Sequence, residues 1–340
     1  MEQLRKDNHY VPKLYLKQWA DDGQIPTYRL LVPSDKTPLW KPHSLKGIAF
    51  HQHLYTYVVG QEETDEFERW LDREFEGPAE QAIHRAVNGH QMSPDHWRRL
   101  VRFAVALDVR TPARLREFLQ RQNETLPALM NDTVQRSVSR LQRAASLGEA
   151  LPVPPEESDS FAPFRIFMEE GELGVGKLKA EAYLGRRMWV WQMKHLLTNT
   201  LGKLPAHRWT ILRPPSGMSW PTSDNPLIRL NFQDAGNYDF KGGWGVKNGD
   251  ILLPLGPKHL LYTCMGNRAK LRGSVLDLAT AQLIRRIIIE HADRYVFATE
   301  PGDIHLIRPR LVCPATFNSE RLAWQNWHLH QSEAERAFGS

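Results

Sequence analysis

Residues 93 to 112 read SPDHWRRLVRFAVALDVRTP, and this stretch predicts the central helix of the protein. Ser93-Pro94-Asp95 is a suitable start, because proline fits the first turn of a helix. Apolar side chains then recur at intervals of three and four residues, which is the spacing of one helix face; they are Trp97, Leu100, Val101, Phe103, Ala104 and Leu107. The pattern predicts a helix that is interrupted at Thr111-Pro112.

Arg110 continues the apolar face of this helix, three residues after Leu107. A buried guanidinium needs an anion, because an unpaired charge in the interior costs several kcal/mol. A carboxylate of a neighbouring helix would make Arg110 a packing residue, whereas an anionic substrate group would make it a binding residue. Pro112 cannot donate to the carbonyl of Asp108, so the backbone is loosened here and Asp108 and Arg110 are expected to face a cleft.

Three other residues are candidates to join Arg110. Glu76 lies beside Gly77-Pro78 on the preceding helical segment. Asp224 lies in the turn Thr222–Pro226, between two β-like runs, and strand ends often carry functional residues. His9 is a titratable ring in an extended segment that leads into a short helix at Pro12.

The pattern along the chain predicts an α+β fold, with a helical N-terminal half packed on a C-terminal half that carries a mainly antiparallel sheet. The first half, residues 1–150, also has β-like runs that predict a small hairpin. The second half, residues 151–340, begins with the Pro- and acid-rich break LPVPPEESDS at 151–160 and has a predicted helix from Lys179 to Leu201. It continues with short β runs and a helix from about Val275 to His291. The two halves are either separate domains or one continuous domain.

Composition describes an ordinary folded protein. The chain has 340 residues, 41% hydrophobic and 24% charged, which excludes a mainly disordered or collagen-like protein. The N-terminus has no apolar signal-peptide core, no apolar run has the length of a membrane helix, and two cysteines cannot build a disulfide framework. We therefore expect a cytoplasmic protein with no membrane partner.

The charge is mildly basic, at +5, and is concentrated on one helical stretch. Seven arginines lie between residues 98 and 121, opposed by Asp108 and Glu117; they are Arg98, Arg99, Arg102, Arg110, Arg114, Arg116 and Arg121. Such a stretch is either a track for a phosphate backbone or a solvated helix face.

Several sequence motifs with known chemistry can be set aside. GELGVGKL, residues 171–178, nearly spells a phosphate-binding loop, but Leu178 stands where a hydroxyl must bind Mg²⁺. His51 and His53 share one face of a predicted strand, as metal ligands can, yet no Cys or HExxH motif accompanies them, so they are interpreted as packing or surface residues. Neither G-x-S-x-G nor a dinucleotide fingerprint is present.

Four motifs in order resemble those of a bacterial family, domain of unknown function 4238. They are NHYVPKLYLKQWA from residue 8, FEGPAEQAI from residue 75, RFAVALDVRTPARLREF from residue 102 and TSDNP from residue 222. The resemblance extends from about His9 to about Phe297, and its matching positions are His9, Tyr10, Pro12, Tyr15, Leu16, Glu76, Arg110, Thr111, Pro112, Ser223, Asp224, Asn225 and Pro226. Trp19 departs conservatively from the more usual Phe. The resemblance implies a bacterial intracellular protein and assigns no activity.

The leading hypothesis is an enzyme that acts on an anionic, phosphate-bearing substrate, in its most specific form a nuclease-like phosphodiesterase. Its catalytic residues would be His9, Glu76, Arg110 and Asp224, with Glu76 and Asp224 positioning a water or a divalent metal ion. Tyr10, Tyr15, Ser223 and Asn225 are the candidate substrate-binding residues. The alternatives are a binding or interaction protein in which these motifs are structural, and a basic nucleic-acid binder without catalysis.

Overall fold

The fold is described from a computed structural model that covers residues 4–149, 163–170, 176–203 and 207–339. The predicted break at 151–160 lies outside these residues, as do residues 171–175 of the motif that resembles a phosphate loop. No helix within the described ranges combines the length and the apolar character needed to cross a membrane.

The helices are concentrated in the first half of the chain. In order they are α1 (Lys13–Leu16), α2 (Glu66–Leu71), α3 (Gly77–Val87), α4 (Pro94–Val109), α5 (Pro112–Leu147), α6 (Arg186–His195), α7 (Leu278–His291), α8 (Ile304–Ile307) and α9 (Pro314–Gly339). A π-helical turn, Asp72–Glu76, joins α2 to α3. A second π-helical turn, Leu196–Thr200, and a 3₁₀ turn, Leu201–Lys203, extend α6.

Helix α4 is the predicted central helix. Ser93 caps it by accepting the backbone N–H of His96, and the apolar face is buried, with Leu100, Phe103 and Leu107 inaccessible to solvent. The helix ends at Val109 with Arg110 as its C-cap, and the Thr111 side chain caps α5 by accepting the N–H of Arg114. The interruption predicted at Thr111-Pro112 is therefore the junction of two helices.

The strands are short and lie mostly in the second half. They are β1 (Asp7–His9), β2 (Gln24–Arg29), β3 (Leu31–Val32), β4 (Trp40–Ser44), β5 (Phe50–Gln52), β6 (Tyr57–Val59), β7 (Glu62–Thr64), β8 (Phe164–Glu170), β9 (Gly176–Ala182), β10 (Thr210–Leu212), β11 (Thr222–Ser223), β12 (Ile228–Asp234), β13 (Asn237–Asp239), β14 (Asp250–Gly256), β15 (His259–Cys264), β16 (Tyr295–Phe297) and β17 (Leu311–Val312).

Two antiparallel sheets organise these strands. One has the order β10-β15-β14-β12-β13, and the other has the order β11-β16-β2-β4. The remaining strands form two-stranded pairs, of which β3 with β17 is parallel. The α+β class with mainly antiparallel sheet is confirmed.

The second sheet brings together strands from the first and second halves of the chain. Strand β16 pairs with β2 on one side and with β11 on the other, so that Ser223 lies opposite Val296. This pairing places Asp224, the next residue after β11, beside the segment that enters β16. The largest buried cluster also draws on both predicted halves, from Tyr10 to Phe297.

Two features of the second half differ from the sequence-based prediction or escaped it. The predicted helix from Lys179 is wrong at its beginning, because residues 176–182 form β9, which pairs antiparallel with β8, and α6 begins only at Arg186. Strand pairing overrides the helical propensity of Lys, Ala and Glu here. The long helix α9 was not predicted.

Candidate functional site

Arg110 lies in the interior, where a protein carboxylate pairs with it. Its side chain is 1% exposed, and Nη1 donates to Glu76 Oε1 at 2.7 Å. Nη2 donates to the backbone carbonyl of His9, and the Arg110 carbonyl accepts the Tyr55 hydroxyl at 2.6 Å. Burial alone would lower the pKa of Arg110, but the surrounding groups, of which the Glu76 charge acts most strongly, together outweigh burial and raise it.

A second carboxyl group lies close to this pair. Burial raises the pKa of Glu68 to about 8, although the positive charge of Arg110 acts in the opposite direction. Glu68 Oε2 is buried without a hydrogen-bond partner in the described structure. Burial thus favours the protonated form of Glu68, and Glu76 is the carboxylate that contacts Arg110 directly.

Hydrogen bonds join the segment Thr222–Pro226 to the first and third motifs. The Thr111 hydroxyl donates to Asn225 Oδ1 at 3.2 Å, and the Tyr15 hydroxyl lies 2.7 Å from Thr222 Oγ1 and 2.6 Å from the Pro254 carbonyl. Ser223 Oγ accepts the backbone N–H of Asn225. Tyr15, Ser223 and Asn225, three predicted substrate-binding residues, are thus buried and hydrogen-bonded within the protein.

The predicted catalytic residues fall into two groups. Arg110 contacts Glu76 and the backbone of His9, whereas Asp224 shares no hydrogen bond or ion pair with any of the three in the part of the chain that the structure describes. The His9 ring packs on Phe50, with ring centroids 5.5 Å apart, and burial lowers its pKa.

Asp224 lines a large open cavity. The cavity has a volume of about 770 Å³, and Tyr10 and Pro112 from two further motifs also line it. Most of its wall comes from residues 47–53, the start of α5, the segment 293–295 and helix α9, and Tyr10, Arg29, Leu31 and Asp224 complete it. Arg110 and Glu76 are not among its lining residues.

A pair of acidic side chains lies in this cavity. Asp224 is 3% exposed and accepts the backbone N–H groups of Asp293 at 2.9 Å and Arg294 at 2.8 Å. Burial, together with the negative charge of Asp293, raises the pKa of Asp224 to about 7. The Asp293 carboxylate forms ion pairs with two arginines: its Oδ1 lies 2.5 Å from Arg116 Nη2 and 3.2 Å from Arg294 Nη1.

Four arginines line the same cavity, and two of them have no carboxylate partner. Arg116 pairs with Asp293, and Arg294 Nε donates to Glu320 at 2.9 Å. Arg29 and Arg321 form no ion pair with any described residue, and Arg29 Nε is buried without a hydrogen-bond partner. Within the described residues, the Arg29 guanidinium forms one hydrogen bond, to His43 Nε2 at 2.9 Å.

Aromatic rings form another part of the cavity wall. His51 packs on Trp324, with ring centroids 3.9 Å apart, and His53 stacks on His328 at 3.8 Å with an angle of 11° between the rings. Burial lowers the pKa of both His51 and His328 to about 4, so these rings are neutral.

The arginine-rich stretch does not form a continuous charged track. Five of its seven arginines pair with carboxylates, and Arg102 lies over the Phe75 ring at 4.7 Å; the five are Arg98, Arg99, Arg110, Arg114 and Arg116. Asp108, which was expected to face a cleft, lines a separate cavity of about 250 Å³. Pro112 has no N–H to donate to the backbone carbonyl of Asp108, and Arg114 Nε donates to this carbonyl instead, at 3.1 Å.

Several cavity residues were missed by sequence reasoning; they are Arg29, Asp293, Arg294, Glu320, Arg321, Trp324 and His328. The pairing of β16 with β11 and the packing of α9 bring them together, and neither long-range contact leaves a local pattern. The one local indication of a site in the sequence is the charged pair Asp293-Arg294, which lies between the helix predicted to end at His291 and the β run that follows it.

Among the described residues, one group of three histidine and carboxylate side chains has its polar atoms close together, and it does not include Glu76 or Asp224. It consists of His53, Glu63 and His328, whose ligand atoms lie within 4.8 Å of one another.

Comparison with known proteins identifies a family. A family model described as a protein of unknown function, DUF4238, matches residues 7–301, a range that includes all four motifs and excludes α9. The match confirms the resemblance seen in the motifs. No curated protein and no solved structure matches the chain.

Proposed function

The chain belongs to the DUF4238 family, and we propose that the 770 Å³ cavity is the active site of a hydrolase that cleaves a phosphate ester or diester. The observation that carries the proposal is the presence, in one cavity, of an acidic pair and two arginines without carboxylate partners. The arginines favour an anionic ligand, and the acidic pair supplies groups for proton transfer. These are the two requirements of phosphoryl-group hydrolysis.

Arg29 and Arg321 are the anion-binding residues. A guanidinium on a cavity wall gains most from an oxyanion ligand, because its forked N–H groups match two phosphate oxygens. The partnerless Nε of Arg29 is a donor that lacks an acceptor. The pairs that Arg116 and Arg294 make with Asp293 and Glu320 leave those two arginines less available for a ligand.

Asp224 and Asp293 are the acid–base pair. Burial and the charge of Asp293 raise the pKa of Asp224 to about 7, so Asp224 can hold a proton near neutral pH and give it to a leaving oxygen. Asp293 can take a proton from the attacking water as the new P–O bond forms and the bond to the leaving oxygen breaks. Proton transfer from Asp293 to Asp224 through solvent then restores both groups. Two neighbouring carboxyl groups in different environments commonly divide the roles of acid and base in this way.

The Arg110 pair has a positioning role in this proposal. Arg110 binds the backbone of His9, and the next residue, Tyr10, lines the cavity. The phenol ring of Tyr10 is 5% exposed, and the charge of Asp224 helps to raise its pKa, after the larger effect of burial. Arg110 thus holds a cavity residue in place without touching the ligand.

The test is hydrolysis of bis(p-nitrophenyl) phosphate, p-nitrophenyl phosphate, single-stranded RNA and single-stranded DNA by the purified full chain. We expect turnover of at least one of them, and a loss of about 100-fold or more in kcat/KM for Asp224→Asn and Asp293→Asn, the usual range for removal of an acid–base group. Asp35→Asn, a change at an exposed carboxylate, is the matched control. Equal residual activity in all three variants would refute the acid–base assignment.

A non-catalytic binding protein is the second candidate. It is favoured by the contacts of Arg110, which pairs with Glu76 and the His9 carbonyl in the interior. All four motifs have structural roles in the hydrogen-bonded interior: Arg110 links the first motif to Glu76, and Thr111 links the third motif to the fourth. On this reading the cavity binds an anion and releases it unchanged. Saturable binding of a phosphate ester without turnover under any metal or pH condition would favour it over the enzyme.

A further inference from the structure

We propose that Arg85, Arg213 and Arg272 form a surface binding site, at the end of α3, for the phosphate groups of a small polyphosphate ligand. None of the three arginines lines the 770 Å³ cavity, so the site goes beyond the proposed hydrolase and does not rest on it. Arginine suits such a ligand because its planar fork of N–H groups matches two phosphate oxygens.

Three separate parts of the chain supply these arginines. Arg85 lies in the last turn of α3, Arg213 directly follows β10, and Arg272 lies in the loop between β15 and α7. The backbone N–H of Arg213 donates to the Ser274 carbonyl at 2.9 Å, and the Arg213 carbonyl accepts the N–H of Leu276 at 2.9 Å. These two bonds fix the backbone of Arg213 to the loop that carries Arg272.

The side chains meet at the end of α3. Arg272 Nη1 donates to the His90 carbonyl at 2.8 Å, and Arg272 Nη2 donates to the Arg85 carbonyl at 3.4 Å. A Cβ atom placed on Gly89 would lie 3.7 Å from Arg213 Nη2. Both guanidinium groups therefore lie against the last turn of α3 and the residues that follow it.

No carboxylate balances the positive charges of this cluster in the part of the chain that the structure describes. Burial lowers the pKa of Arg272, and the charges of Arg213 and Arg85 lower it further. Burial, followed by the charges of Arg213 and Arg272, also lowers the pKa of His259 to about 4. Like charges disfavour the charged form of a neighbour in this way, and an anion bound among them relieves the repulsion.

Capping of a helix end explains only part of this arrangement. Arg272 binds carbonyls at the C-terminus of α3, where the helix dipole favours positive charge, and Arg85 Nε donates to the Gln91 carbonyl at 2.8 Å. The Arg213 side chain, by contrast, is exposed and makes no hydrogen bond or ion pair with any described residue. Its five N–H donors are therefore available to a ligand, although it lies beside two like charges.

The shape of the cluster favours a compact anion. Arg213 and Arg272 are exposed and Arg85 is half-buried, so a ligand can reach the guanidinium groups from solvent. A short polyphosphate carries several negative charges close together and can contact more than one guanidinium at once. An extended nucleic-acid backbone needs positive charge along a track, which three arginines at one helix end do not form.

The test is modification of the purified full chain with phenylglyoxal, with and without sodium tripolyphosphate at equal ionic strength, followed by peptide mass spectrometry. Phenylglyoxal reacts with accessible arginines, and a bound phosphate group shields them. We expect modification of Arg213 to slow by about 10-fold when tripolyphosphate is present at about ten times its Kd. Arg140 is the control, because it is exposed on α5 and forms no ion pair with a described residue, and its modification should not slow.

Arg213→Gln tests whether the three arginines bind the ligand together. We expect protection of Arg85 and Arg272 to require about 10-fold more tripolyphosphate in this variant, because a hydrogen bond to a charged group contributes at least about a factor of ten. Arg140→Gln should leave their protection unchanged. Circular dichroism of both variants confirms that they are folded before modification.

Modification of Arg213 at the same rate with and without tripolyphosphate would overturn the proposal, as would equal protection of Arg140 or unchanged protection in Arg213→Gln. Protection by a single-stranded oligodeoxynucleotide but not by tripolyphosphate, at the same phosphate concentration, would show instead that the cluster binds an extended backbone. Arg29 and Arg321 are mapped in the same digest, so binding in the cavity is distinguished from binding at α3. The result needs no turnover and is independent of the hydrolase test.

Discussion

Asp224 accepts the backbone N–H of Asp293 at 2.9 Å, and the carboxylate of Asp293 is at the same time the charge that, after burial, raises the pKa of Asp224. One residue thus supplies both a stabilising and a destabilising contact to the ionised form of its neighbour. The destabilising effects dominate, because the pKa rises from 3.8 to about 7. Protonation of Asp224 is therefore linked to folding.

The first prediction concerns stability against pH. A carboxyl whose pKa is raised on folding binds more protons in the folded state than in the unfolded state, so its stabilising contribution is greatest below pH 4 and is lost as the pH rises through 7. Between these limits the free energy of unfolding should fall by up to about 1.4 kcal/mol per pH unit relative to Asp224→Asn, which cannot titrate. Urea unfolding of both proteins from pH 4 to pH 8 measures this difference. A constant difference across the range would contradict the raised pKa.

The second prediction concerns the Arg110–Glu76 pair. Arg110→Ala removes the partner of a largely buried carboxylate and should lower the free energy of unfolding by about 3–5 kcal/mol. Glu76→Gln should be similarly destabilising, because it leaves Arg110 buried with a neutral partner. Chemical unfolding of the two single variants and the double variant gives the coupling between the residues. Arg268→Ala, at an exposed arginine without a described ion pair, is the control, and an effect of Arg110→Ala as small as that of the control would contradict the interior pairing.

The pairing of Arg110 with Glu76 could largely be predicted from the sequence, whereas the cavity could not. Arg110 interrupts an apolar helical face, and that local pattern alone identifies it as a buried charge that needs a carboxylate such as Glu76. Asp224 is recognisable as a residue at a strand end, but its partner Asp293 comes from a strand pairing 69 positions away along the chain. The wall that contains Trp324 depends on how α9 packs, and helical periodicity gives no information about what a helix face contacts.

The third prediction concerns anion binding by Arg29. Replacing Arg29 with Gln should weaken the binding of inorganic phosphate by about 10- to 100-fold, because a hydrogen bond to a charged group contributes about 1.5–3 kcal/mol. Arg321→Gln should have a smaller effect, since Arg321 is exposed and water screens its charge. Calorimetric titration with phosphate at two salt concentrations measures both effects. Arg268→Gln is the matched control, and equal affinities for all three variants would show that the anion binds elsewhere.

The fourth prediction concerns the attachment of α9, which supplies Trp324 and His328 to the cavity. Glu335→Gln leaves the fully buried Arg186 without a negative partner, and breaking such a pair costs about 3–5 kcal/mol. Glu335 also accepts the N–H of Val58, so part of the loss falls on the contact between α9 and β6. We expect α9 to detach before the rest of the chain unfolds, because its other ion pairs, such as Arg336 with Glu63, are more exposed and weaker.

Limited proteolysis followed by mass spectrometry should show cleavage within residues 314–339 in Glu335→Gln at protease concentrations that leave the wild type intact. Glu333→Gln, at an exposed position on the same helix, should behave as the wild type. If both variants resist cleavage equally, the buried pair does not hold α9 in place, and the cavity wall must be fixed by the packing of Trp324 and Trp327 against the core.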